Sequence, residues 1–128
     1  MAIQDRTSLR NGKMDAITTD IGTSGKLKIY TSAYGTLLGT WVWTGTNMFG
    51  ASSGGVITME APASASITAA ATGTAAIGKI TTSADVDVRT GLTVGTSGTH
   101  IIVDSTTITS GDPIVLNYAA STITAPYA

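Results

Sequence analysis

Residues 6 to 21 follow a helical rhythm: Leu9, Lys13, Ala16, Ile17 and Ile21 recur at three- and four-residue steps, with charged residues between them. The spacing predicts a short amphipathic helix, started by Thr7 or Ser8 and ended by Gly22. Asn11-Gly12 in its middle costs about 1 kcal/mol against alanine, which leaves an irregular arm as the alternative. After Gly25 the period changes to two. Leu27 and Ile29, then Leu37, Trp41 and Trp43, alternate with Thr36, Leu38, Thr40, Val42 and Thr44, predicting strands at 26–31 and 36–44. Val56 to Glu60 and Ser64 to Ala70 continue the pattern, and further strands are predicted at about 72–81, 85–94, 99–109 and 113–123. Turn signals at Thr72-Gly73, Thr90-Gly91, Gly95 to Gly98 and Ser110-Gly111-Asp112-Pro113 separate them. Gly-Thr-Ser-Gly occurs twice, at 22–25 and 95–98, and reads as two turns of like chemistry because the flanking residues differ.

About eight strands without crossover helices predict an all-β fold, a β-sandwich of jelly-roll or Greek-key type with antiparallel strands. The chain divides into an N-terminal helix or arm at 1–25 and a sandwich domain at 26–128. Its 128 residues, 42% of them apolar, suffice for one core. Thr is the commonest residue with 24 copies, and its β-branch suits a pleated surface better than a helix.

Charge changes the picture more. Only 12% of residues are charged, about half the usual share, and the net charge is −1, so no general field gathers nucleic acid or an anionic membrane. Between Ile29 and Gly78 the only charge is Glu60. A surface so short of lysine and glutamate is one that tends to be covered. Residues 1 to 28 hold five basic and three acidic side chains, and the rest of the chain is net acidic. There is no cysteine, so the core alone must hold the fold. The first twenty residues have no apolar run of signal-peptide length, so export by that route is not expected. The uncharged stretch from Ala61 to Gly78 contains Pro62 and many hydroxyl residues, which argues against a membrane span.

Gly50-Ala51-Ser52-Ser53-Gly54 matches the G-x-S-x-G nucleophile pattern, with Asp85 or Asp87 and then His100 following in hydrolase order. That motif needs a strand-to-helix turn in a parallel sheet, and here a strand follows it, so catalysis is not expected. His100, the single histidine, begins a strand and reads as a solvated or core-edge imidazole. Asp85 and Asp87 share one strand face and read as solvated rather than as calcium ligands. Trp41, Trp43, Phe49, Tyr30 and Tyr34 read as core aromatics, since no basic residue interleaves them between Lys28 and Lys79 as a nucleic-acid platform requires. With no P-loop, metal-ligand spacing or dinucleotide fingerprint, no cofactor is expected and the protein reads as a non-enzyme.

The order of a short polar helix, Gly25-Lys26-Leu27-Lys28-Ile29-Tyr30, Gly35-Thr36-Leu37-Leu38, Phe49-Gly50-Ala51-Ser52-Ser53-Gly54-Gly55-Val56, Thr72-Gly73-Thr74-Ala75, Val94-Gly95-Thr96-Ser97-Gly98 and Thr122-Ile123-Thr124 resembles the capsid decoration, or cement, proteins of tailed bacteriophages. The resemblance spans nearly the whole chain. It departs after Thr74-Ala75, where an aromatic residue and an arginine are expected and Ala76-Ile77-Gly78-Lys79 stand. It implies a structural virion protein, made in the host bacterial cytoplasm, that sits on the outer capsid surface and clamps major capsid protein subunits together. Neighbouring copies, as dimer or trimer, are a second expected partner; nucleic acid and membrane are not. Arg6, Leu9, Arg10, Lys13, Ile17, Lys26, Lys28, Tyr30 and Tyr34 are the candidate capsid contacts. The alternatives are a phage tail or fibre component, and a lectin-like sandwich using Trp41, Trp43 or Tyr34 as a sugar platform.

Overall fold

The computed structural model describes residues 6–124; residues 1–5 of the expected arm and 125–128 of the expected sandwich domain lie outside the described residues. It is mostly β with one α-helix, α1 (Thr7–Ile21), and a curled five-stranded sheet. The strands are β1 (Lys26–Tyr30), β2 (Leu37–Val42), β3 (Val56–Thr58), β4 (Ser66–Thr68), β5 (Gly73–Thr74), β6 (Ile77–Thr81), β7 (Asp87–Gly95), β8 (Ile101–Ile102), β9 (Thr107–Ile108), β10 (Pro113–Val115) and β11 (Thr122–Thr124). The main sheet runs β2-β1-β6-β7-β8, and three two-stranded pieces pair β10 with β4, β11 with β3 and β5 with β9.

Eleven short strands replace the expected eight because several predicted runs break. The 72–81 run divides at Ala75-Ala76, whose amides bond Thr106 O and Tyr30 O instead of one continuous ladder. The 99–109 and 113–123 runs divide likewise, the latter around a 3₁₀ turn at Tyr118–Ala120. One pairing is parallel rather than antiparallel: Val94 lies beside Ile101 and Gly95 beside Ile102. Parallel neighbours ordinarily need a long crossover. Here the chain folds tightly back over Gly95, and the ladder lasts two residue pairs, continued by the Val103 amide bonding Gly95 O at 2.9 Å.

One core joins these pieces. Leu27 and Ile29 of β1, Leu38 and Trp41 of β2, Ile80 of β6 and Leu92 of β7 are buried with Ile57, Ile114 and Ile123 from the short pairs. Both tryptophans are fully enclosed, and each indole N–H reaches a main-chain carbonyl: Trp41 donates to Ala65 O at 2.9 Å and Trp43 to Glu60 O at 3.0 Å. These two bonds satisfy the only polar atom of each ring and tie the 60–65 segment to the sheet. Gly39 of β2 allows a close approach, because a Cβ there would stand 2.6 Å from Ile67 Cδ1.

The alternation in β2 departs from expectation at one point. Ile29 pairs with Gly39 but Tyr30 pairs with Leu37, so Leu38 is an extra residue. A bulge of one residue reverses the phase of the pleat beyond it. Leu38 therefore faces the core, and Leu37 stands outward at 38% exposure.

The helix also turns a different face inward than the sequence rhythm suggests. Arg10, Met14 and Ile21 are buried and Ile17 packs partly against the core, while Leu9, Lys13 and Ala16 face out. Arg6 occupies the N-cap position with no side-chain cap, so neither Thr7 nor Ser8 serves; Gly22 ends the helix as expected, its amide returning to Thr18 O. The loop 52–55 fixes the rotation. Asn11 Oδ1 accepts the Gly55 amide at 2.7 Å, Asp15 Oδ1 accepts the Ser52 amide at 3.0 Å, and the Ser52 hydroxyl donates to Asn11 O at 3.1 Å. An asparagine in mid-helix, weak by propensity, is thus the helix's fastening point.

Candidate functional site

The site is the outer face of the five-stranded sheet. β1 alternates strictly, burying Leu27 and Ile29 and sending Lys26, Lys28 and Tyr30 to the other side. Direct register puts Lys28 opposite Lys79 of β6 and Tyr30 opposite Ile77. Two like charges facing each other across strands repel. The β6–β7 turn answers that repulsion. Asp85 Oδ1 accepts from Lys28 Nζ at 2.8 Å and from Lys26 Nζ at 3.1 Å, and Asp87 Oδ1 lies 3.1 Å from Lys79 Nζ. The two ammonium groups, Lys28 first, hold the Asp85 carboxyl below the usual carboxylate range. The hydrogen bond to Asp87 raises Lys79 above its ordinary value.

Two tyrosines close the other end. Tyr30 and Tyr34 meet edge to face, with ring centroids 5.3 Å apart, and Lys79 Nζ lies 5.6 Å from one centroid and 5.9 Å from the other. The Tyr34 hydroxyl accepts the backbone amide of Gly91 at 2.6 Å. That amide needs an outside acceptor because β7 is bulged there: Gly78 pairs with Leu92 and Ile80 with Arg89, so Thr90 and Gly91 together oppose Lys79. Tyr34 reaches from the β1–β2 connection across β1 and β6 to β7.

This arrangement is held against backbone preference. Among the described residues, three non-glycine positions have positive φ: Ala33 at 59°, Tyr34 at 57° and Asp85 at 64°. Tyr34 and Asp85 are the residues that cover the two ends of the lysine row. Strain kept at a group of charged and aromatic side chains marks a surface whose geometry matters.

Parts of both sheet edges are met by the chain itself. Beyond β2, the Ala63 amide bonds Val42 O and the Ala70 amide bonds Leu38 O. Beyond β8, Ile102 N donates to Ser121 Oγ at 3.0 Å and Ile102 O accepts from Asn117 N at 2.8 Å. At these places strand addition finds its hydrogen bonds already taken.

The nine candidate contacts fall into two groups. Lys26, Lys28, Tyr30 and Tyr34 assemble on the outer sheet face. Leu9 and Lys13 stand exposed on α1, Leu9 at 48%, and Arg6 stands exposed at its N-cap. Arg10 lies buried over Gly55, and Ile17 is half-buried where it packs on the chain's own core. Sequence reasoning missed Lys79, Gly91 and the role of Asp85. Asp85 lies in the turn before β7 rather than in a strand, and its partners are lysines.

The remaining motifs find other employment. Ser52 is spent on α1, while His100 Nδ1 accepts the Thr93 amide at 3.1 Å. A polar cleft of about 610 Å³ lies beside His100, lined by Thr93, Asn117 and Thr122 among others. Burial of Trp41 and Trp43 removes both from any sugar platform. Compared with protein-family models, with curated proteins and with solved structures, the chain finds no match.

Proposed function

We propose that this protein is a structural component of a tailed-bacteriophage virion that binds the outside of the capsid and cements major capsid protein subunits. Its body, on this reading, is a β-sandwich of jelly-roll or Greek-key type built around the five-stranded sheet. The observation that carries the proposal is the outer sheet face: a prearranged patch of tyrosines, lysines and exposed aliphatic residues. Tyrosine-centred patches with few unpaired charges are what protein interfaces select. The charge-poor stretch from Tyr30 to Gly78 and the likeness of its turn sequences to cement proteins support the same reading. A cement protein needs rigidity and a docking face; many copies, each bridging two subunits on a closed lattice, gain in effective concentration what one contact lacks.

The test uses capsids of the virus that encodes the chain, stripped of their outer proteins. Added protein is expected to rebind over the whole shell and to raise the temperature at which capsids open. An unchanged opening temperature overturns the clamping role, and label confined to the tail vertex favours a tail component.

A further inference from the structure

We infer that the cleft beside His100 is a binding site for a neutral sugar, a mono- or disaccharide, held by hydrogen bonds from uncharged side chains. The inference stands apart from the docking proposal, since none of the cleft residues belongs to the tyrosine–lysine face. The cleft's volume, about 610 Å³, lies within the range of small-molecule pockets, about 300–1,000 Å³. Two segments wall it: the turn from Thr96 to His100 between β7 and β8, and the stretch from Asn117 to Thr124. The chain ties these walls together. Ile102 N donates to the Oγ of the buried Ser121 at 3.0 Å, that hydroxyl donates to Asn117 O at 2.9 Å, and Asn117 N donates to Ile102 O at 2.8 Å. Thr99 Oγ1 donates to Ile101 O at 2.8 Å, which fixes the end of the turn. Walls set before a ligand arrives lose less entropy when it binds.

These walls carry polar groups that the fold does not use. His100 N donates to Thr93 Oγ1 and the Thr93 amide donates to His100 Nδ1, each at 3.1 Å. With Nδ1 the acceptor, the neutral ring carries its proton on Nε2, a donor left over. Among the described residues, the side chains of Thr96, Ser97, Asn117, Thr122 and Thr124 have no hydrogen-bond partner in the fold. Hydroxyls and a carboxamide both donate and accept, which matches the adjoining hydroxyls of a sugar. Ile102 and Ala120 add an apolar patch for its C–H face. Other ligand classes fit worse. Among the described residues, no lysine, arginine, aspartate or glutamate lines the cleft, so a phosphate or an ammonium group finds no counter-charge. No phenylalanine, tyrosine or tryptophan among them lines it either, so a nucleobase finds no stacking platform.

The experiment titrates glucose, galactose, mannose, N-acetylglucosamine and lactose, one at a time, into isotopically labelled full-length protein and follows backbone amides by NMR. At least one sugar is expected to shift the signals of Ser97 to His100 and of Asn117 to Thr124 together, to saturation. Asn117→Ala removes a side chain that the fold leaves unbonded and is expected to weaken binding about fivefold, the weight of one hydrogen bond. Thr122→Val keeps the shape and the β11–β3 pairing, loses the hydroxyl, and is expected to weaken binding by a similar factor. Silence toward all five sugars, shifts outside both walls only, undiminished binding by both variants, or an equal response to inorganic phosphate each overturns the site. Should one variant not fold, the other decides; should neither fold, the wild-type titrations with sugar and phosphate decide.

Discussion

On the inner side of β1, Leu27 and Ile29 are wholly enclosed; on its outer side, Lys26, Lys28 and Tyr30 keep contact with water. The two sides share one backbone and answer to different forces. Inward, order comes from removing apolar surface from water and from close packing, which are non-directional and large. Outward, it comes from paired charges, one hydroxyl–amide bond and ring edges, each small and directional. The comparison teaches that stability and recognition are separable here. Inner-face changes should unfold the chain without informing on docking, and outer-face changes should alter docking while the chain stays folded.

The strongest challenge to that division is Trp41→Ala. It removes the largest enclosed side chain of β2 and the bond to Ala65 O, and is expected to cost about 3–5 kcal/mol in denaturant unfolding. A loss under 1 kcal/mol would mean that the inner face is not the source of stability. Next comes Gly39→Val. The added methyl groups meet Ile67 and Ile114, so overpacking is expected to cost about 1–3 kcal/mol, with capsid binding of the folded fraction unchanged. Gly12→Ala lies on the exposed side of α1, where a Cβ enters open space, and is expected to stabilise by about 1 kcal/mol. A null result there would show that helix propensity is not limiting once the loop at 52–55 has fastened Asn11.

The smallest effect belongs to the outer face. Asp85 carries a lowered pKa because Lys28 and Lys26 favour its charged form. What it contributes to stability is thus present above its unfolded pKa and lost as pH falls through its folded value. Asp85→Asn is expected to differ slightly from wild type near neutrality and to converge with it in acid, checked by unfolding midpoints across pH. Divergence that grows as pH falls would reverse the sign and refute the pairing. Because Asp85 is more than half exposed, the change should appear in docking before it appears in stability.

Much of the fold was legible. The helix at Thr7–Ile21, the stop at Gly22, the switch to period two at β1 and the enclosure of Trp41 and Trp43 all follow from spacing and residue type. What spacing could not reveal lies where a single residue changes phase or partner. The extra Leu38 turns Leu37 outward, and Thr90-Gly91 opposite Lys79 frees an amide. Bulges leave little trace in composition, because the flanking residues still alternate.

The candidate site was half legible for the same reason. Lys26, Lys28 and Tyr30 are one strand face, readable from alternation alone. Lys79 and Asp85 join them only through register and turn geometry, 51 to 59 residues along the chain from Lys28 and Lys26, and Gly91 meets Tyr34 across 57. Likewise Arg10, charged and expected to meet a partner, is buried because the loop at 52–55 docks on its side of the helix.

By itself, then, the sequence determined the local conformations, since propensity and periodicity act over a few neighbours: a short helix, Thr-rich strands, glycine turns and an apolar interior. Only the tertiary structure decided which side of α1 is buried, which strands are neighbours, and which charges meet over the sheet. Those outcomes depend on register and on long-range contacts, whose energies no local pattern encodes.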